Sequence, residues 1–165
     1  SGNICRRKNQ LNLVKACIKA NTELILLGNV LDGEQQYAAE IEKLIAKNNK
    51  IQWIKGVEHG GEEMMALYRN ASLVALPSFV EQQPISLLEG AAMHIPILCA
   101  QKAYGQQEYY QNAKLVVPES VSSIAEGIKA VFNSPDKYIV PNEMARKCGT
   151  TTIGNAYKTI YKTLF

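Results

Sequence analysis

The stretch Ala75-Leu-Pro-Ser-Phe-Val-Glu81-Gln-Gln-Pro-Ile-Ser-Leu-Leu-Glu89-Gly-Ala-Ala-Met-His-Ile-Pro96 decides the fold. The apolar run Ser72-Leu-Val-Ala-Leu76 that leads into it reads as a buried strand. Pro77 and Ser78 stop that strand. Pro84 fits the first turn of a new helix, where its missing N–H has no partner to lose. The helix runs through Glu89 to about Met93, Pro96 ends it, and Ile97-Leu-Cys99 reads as the next strand. Strand, loop, helix and strand in succession build a parallel sheet. In such a sheet ligands sit outside the carboxyl ends of the strands. The Pro77–Pro84 loop holds that position, and the first amides of the helix, near Ile85 and Ser86, point the positive dipole end at the crevice. This suits an anion, above all a phosphate. Glu81 and Glu89 bracket the helix start, and a carboxylate can accept both hydroxyls of a vicinal diol such as a ribose.

Working outward, the same alternation continues. Gln10–Ala20 reads as a helix, with Leu11, Val14, Cys17 and Ile18 on one face. Glu23–Gly28 and Lys50–Gly56 read as strands on either side of a helix over Glu34–Asn48. Glu62–Asn70 is a short helix. Lys114–Pro118 is the last strand, and Ser120–Phe132 is an amphipathic helix. Two helices fill the tail from Asn142, and the second carries a stripe of Ile153, Ala156, Tyr157, Ile160, Tyr161 and Leu164. The fold class is α/β, a Rossmann-like parallel sheet with helices on both faces. Trp53 reads as a core or sheet-face residue. His59, beside two glycines with no partner carboxylate or nucleophile in sequence, reads as a loop residue and not as a catalyst.

At 165 residues the chain has room for one domain with a real core, and its 47% hydrophobic and 20% charged residues suit an ordinary globular protein. A net charge of +3, with scattered basic residues, argues against nucleic acid as a partner. Cys5, Cys17, Cys99 and Cys148 have no CxxC spacing and read as free thiols of a reducing cytosol. No metal-ligand cluster, transmembrane run or signal peptide is visible.

Glu81-x7-Glu89, placed between Pro77-Ser78 and Ile95-Pro96, resembles the retaining GT-B glycosyltransferases of the family 4 type, which carry an E-x7-E signature. The resemblance is to their C-terminal half and covers nearly the whole chain. It implies a nucleotide-sugar donor-binding domain spanning 1–165, a fragment of a chain about twice as long, with the N-terminal acceptor domain and a leading strand absent. It implies that Lys8 and Glu81 serve catalysis and that Glu89 takes the ribose diol. Ser86, Ile85, Gln83, Arg7, Gly56, Val57 and Gly28 are implied in donor binding, by position. Lys8-Asn9 stands where the family has Lys-Gly, while the family's arginine would fall near Asn3, so that either Arg6 or Arg7 replaces it or the site has lost a charge. Gln82-Gln83-Pro84 replaces the usual Gly-Phe-Gly, and His94 replaces a glycine at a helix end that often needs positive φ. The family works without a metal or cofactor, and no D-x-D motif is present.

The expected activity is transfer of a sugar from a nucleotide diphosphate sugar to a carbohydrate or lipid-linked acceptor, with retention. The expected setting is cell-surface polysaccharide assembly in the cytoplasm, with peripheral association of the full-length enzyme at the inner face of the membrane. A GT-B nucleotide-sugar epimerase and a non-catalytic sugar-nucleotide-binding module are the alternatives. The terminal helix of the family crosses back onto the acceptor domain, so its stripe should stand partly exposed in this chain.

Overall fold

A computed structural model describes residues 2–164, without the side chains of residues 145, 163 and 164. The strands are β1 (Leu24–Leu27), β2 (Ile51–Ile54), β3 (Val74–Leu76), β4 (Ile97–Ala100) and β5 (Lys114–Val116). The helices are α1 (Gln10–Ala20), α2 (Gln35–Ile45), α3 (Glu62–Arg69), α4 (Ile85–Ala92), α5 (Val121–Asn133), α6 (Asn142–Lys147) and α7 (Thr150–Leu164). Every ladder is parallel: β1 pairs with β2, and β4 lies between β3 and β5.

β4 is buried along its whole length because helices cover both faces. Its alternate side chains therefore feed two cores. Leu98 joins Val14 and Cys17 of α1, Ile41 of α2 and Ile124 and Ile128 of α5. Ile97 and Cys99 join Met64 and Tyr68 of α3 and Leu87 and Ala91 of α4. Gly90 lets α4 close on the sheet, since a Cβ there would stand 2.8 Å from Val74 Cγ2. The four thiols are free, and burial pushes those of Cys17 and Cys99 up to about 12. They pack as small hydrophobes.

Among the described residues no strand pairing joins the two ladders. Between β1 and β3 runs a groove of about 690 Å³, lined by Leu24, Leu26, Val74 and Leu76 among others. At one end Gly2–Ile4 begins to fill it. The Gly2 N–H donates to the Leu27 carbonyl at 2.9 Å and the Ile4 N–H to that of Asn29 at 2.8 Å, while Ile4 bridges Val30 in parallel. Gly28 permits this approach: its φ is +137, and a Cβ there would collide with the Gly2 carbonyl. This short parallel segment is not apparent in the sequence.

Two expectations shift. Pro84 lies outside the first turn of α4: it is the N-cap, extended at φ −71 and ψ 114, and its carbonyl accepts from Leu87 and Leu88. The stripe on α7 is exposed at every described apolar position and not only in part, with Ile153, Tyr157, Ile160 and Tyr161 45–60% accessible. Leu164 lies outside the described side chains. Among the described residues no helix is long and apolar enough to cross a membrane.

Candidate functional site

The site forms where two chain turns meet at the carboxyl edge of the sheet. The first is the single 3₁₀ turn Arg6–Lys8, between the Gly2–Ile4 segment and α1. It ends at Asn9, which adopts φ +61. Asn tolerates this left-handed conformation better than most residues. Its buried amide donates to the carbonyls of Pro77 at 2.9 Å and Pro118 at 2.7 Å. That bond ties the first turn to the second, the Pro77–Pro84 loop. Phe79 N–H adds a bond to the Arg7 carbonyl at 2.9 Å. Losing the Asn9 side chain would leave the buried Pro77 carbonyl unpaired, at a cost of about 1–3 kcal/mol, while the Pro118 carbonyl would keep its bond from Asn12 Nδ2 at 3.2 Å.

The tie brings Glu81 onto the basic turn. Lys8 Nζ stands 2.9 Å from Glu81 Oε1, and Arg7 Nη1 stands 2.8 Å from Oε2. The buried Ser78 hydroxyl donates to Oε1 at 3.1 Å. Burial pushes the Glu81 carboxyl up, but the hydrogen bonds and charges of Lys8 and Arg7 outweigh it, so Glu81 titrates below the ordinary value. The same contact raises Arg7 above its ordinary value. Two cations on one carboxylate leave one positive charge at the crevice. Arg6 has no part in this: it faces Glu34 at 3.6 Å and stacks over the Tyr37 ring at 5.4 Å. Arg7, not Arg6, therefore stands beside Lys8.

From Glu81 the loop runs through Gln82, Gln83 and Pro84 into α4. The Gln82 carbonyl accepts from Gln107 Nε2 at 3.2 Å, while Gln83 is exposed. Pro84 brings no N–H, and no partner within the described chain satisfies the N–H groups of Ile85 or Ser86. The Ile85 side chain is exposed and Ser86 is buried. These amides and the adjoining positive end of the helix are open to an anion by the usual physics of helix starts.

Glu89 lies just over one turn further along α4. Its Oε2 accepts from the Tyr68 hydroxyl at 2.8 Å, and its Oε1 lies 3.0 Å from His59 Nε2. His59 comes from the same loop as Gly56 and Val57. Gly56 N–H donates to Asn29 Oδ1 at 3.0 Å, and Val57 packs on the α3–α4 core. This loop is thus brought to the Glu89 end of the crevice. Gly28 serves the chain itself: its N–H donates to Ile54 at 3.1 Å, and its carbonyl accepts from Trp53 Nε1 at 2.8 Å.

Sequence reading singled out the carboxylates, Lys8 and the helix start. It missed Asn9 as the tie, Ser78 on Glu81, and Tyr68 and His59 on Glu89. Only the polar type of Asn9 and the glycines around His59 could have hinted at them. Among the described residues no group of three His, Cys, Asp or Glu side chains could hold a metal.

The sequence model of the family described as Glycosyl transferases group 1 matches residues 1–151. The chain therefore belongs to that family, and its fold is that of the C-terminal domain of GT-B enzymes. Among solved structures it resembles the C-terminal domain of the group 1 protein LpcC from Francisella tularensis, at 20% identity and a TM-score of 0.75, covering 90% of this chain and 83% of that one. It also resembles HepE of Anabaena, solved with UDP and glucose, at 20% identity and a TM-score of 0.77, over 99% of this chain and 47% of HepE. Sucrose-phosphate synthase of Thermosynechococcus elongatus gives 20% identity and a TM-score of 0.78, over 99% and 45%. The chain thus spans about half the length of these two proteins. Among curated proteins no match is found.

Proposed function

We propose that this chain is the donor-binding domain of a retaining glycosyltransferase that uses a nucleotide diphosphate sugar and a carbohydrate or lipid-linked acceptor. One observation carries the reading: along the loop and helix, the unpaired Ile85 and Ser86 amides follow Glu81 with its net-positive cluster and precede a second carboxylate, Glu89. Lys8 and Arg7 sit on Glu81, before the amides in chain order, and Glu89 comes after them. This order matches a ligand with a diphosphate in the middle and a diol at one end. As the glycosidic bond breaks, negative charge builds on the diphosphate. Lys8, Arg7 and the helix amides would stabilise that charge electrostatically, the role a metal ion plays elsewhere. Glu89 would accept the ribose hydroxyls, and Glu81 would sit nearer the sugar. HepE, on the same fold, is described with UDP-glucose, which supports a nucleotide sugar as donor.

The groove between β1 and β3 supports a longer parent chain. A strand running into Gly2 would continue the bonds already made to Leu27 and Asn29 and join the two ladders into one sheet. An acceptor domain before that strand would supply the other half of the cleft. The domain alone should therefore bind nucleotide and turn over little. By analogy alone we assign the parent to cell-surface polysaccharide assembly.

The test is a calorimetric titration of this chain with UDP, GDP and ADP, with and without EDTA. The reading expects one of the three to bind in the micromolar-to-millimolar range, unchanged by EDTA. Binding abolished by EDTA would refute the metal-free site. Absence of binding here and in a chain extended through the upstream strand would refute the donor reading.

A further inference from the structure

Glu89 is not an idle carboxylate awaiting a ligand. Its two oxygens have different partners in different surroundings. Tyr68 is 5% exposed and belongs to the α3–α4 core. An ionised carboxylate can only accept, so the phenol is the donor to Oε2. Its hydroxyl also lies 3.4 Å from the Ser86 carbonyl, one turn back on the same helix. Tyr68 thus fixes both the Glu89 side chain and the start of α4 from beneath.

The other oxygen, Oε1, meets a group of opposite character. The His59 side chain is 73% exposed, and it reaches Glu89 from a segment that turns through left-handed glycines on both sides. Those are Gly56 at φ +73 and Gly60 at φ +75. Glycine adopts such angles without strain, and this chain path brings the imidazole to the carboxylate.

We propose that Tyr68 is a positioning residue for Glu89 and that His59 occupies the oxygen which a ligand's hydroxyls must take. The proposal rests on the reading of Glu89 as the acceptor of a ribose diol. Tyr68 holds Oε2 and so presents Oε1 as a directed acceptor. A bound diol displaces His59 from that oxygen. The two residues therefore act on affinity with opposite signs. Removing the Tyr68 hydroxyl frees the carboxylate to rotate and weakens recognition of the diol. Removing the His59 imidazole deletes a competitor and strengthens it.

The experiment titrates the wild-type chain and the variants Tyr68→Phe, His59→Ala and Glu89→Ala. The probes are whichever of UDP, GDP or ADP the wild type binds, and its 2′,3′-dideoxy form. Tyr68→Phe should lose about tenfold in affinity for the ribonucleotide, as expected for one hydrogen bond to a charged group. It should lose nothing for the dideoxy form, whereas a purely structural role for Tyr68 would weaken both ligands alike. His59→Ala should bind the ribonucleotide up to about fivefold more tightly, the scale of a solvent-exposed pair. Its affinity for the dideoxy form should not change. If Tyr68→Phe fails to fold, the sign of the His59→Ala effect decides. Both variants within twofold of wild type, with Glu89→Ala still impaired, would overturn this proposal alone. No change on Glu89→Ala would overturn the diol reading and this proposal with it.

Discussion

Glu81 and Glu89 flank the same helix start, yet the chain treats them in opposite ways. Glu81 is gripped by Lys8, Arg7 and Ser78, and its carboxylate neutralises one of two cations. Glu89 meets no Lys or Arg among the described ion pairs, only a buried phenol beneath and an exposed imidazole above. The difference teaches that matching residue types can do unlike work. Glu81 spends its charge organising the crevice, whereas Glu89 turns one oxygen to the buried Tyr68 and the other to the exposed His59. Coulomb attraction to two close cations holds Glu81 ionised, while one hydrogen bond from Tyr68 orients Glu89.

The largest effect should come from the Glu89 end. Glu89→Ala is expected to weaken nucleoside diphosphate binding by about a hundredfold, the loss of two hydroxyl bonds to a charged acceptor. Calorimetry reads this directly, and an unchanged affinity would remove the ribose role. At the other end, Lys8→Ala should cost about tenfold in the same assay. Glu81→Gln should act in the reverse direction and tighten nucleoside diphosphate binding by about threefold, because it releases a cation pair now held by the carboxylate. Weaker binding on Glu81→Gln would show that its bonds to Lys8 and Arg7 serve to pre-orient them.

Acid should also separate the two ends. The depressed pKa of Glu81 means that the unfolded chain binds this proton more readily than the folded one. Its contribution to stability is therefore present above the ordinary carboxylate value and is lost as pH falls through the lower folded value. Urea midpoints of wild type and Glu81→Gln should differ at pH 6 and converge towards pH 3. A gap that stays constant would assign the stabilisation to packing instead. The smallest effect lies away from the crevice. His94 adopts φ +56 at the end of α4, so His94→Gly should stabilise the fold by about 0.5–1 kcal/mol and leave binding unchanged.

Much of the frame was legible because it rests on local signals. Pro77, Pro84 and Pro96 punctuate the chain, and apolar runs of strand length alternate with helical stripes. These fix the order of elements and bring Glu81, Ile85, Ser86 and Glu89 to one edge. Even the backbone demand at His94 was visible from its place at a helix end. The contacts that give the two glutamates their different characters were not legible. Lys8 and Glu81 are 73 residues apart, Asn9 and Pro118 are 109, and Tyr68 and Glu89 are 21. Pairings of that kind depend on how helices seat on the sheet, and no periodicity encodes them. The groove beside β1 was hidden for a related reason, since a gap between strands appears only once the ladders are assembled.

The central claim is that the unpaired amides opening α4 receive the ligand's phosphates. A backbone amide NMR titration with the nucleoside diphosphate that binds tests it most directly. The account predicts that Ile85 and Ser86 N–H resonances shift most, with the Lys8 and His59 amides following and those of α7 unmoved. Saturable binding that leaves Ile85 and Ser86 in place would contradict it.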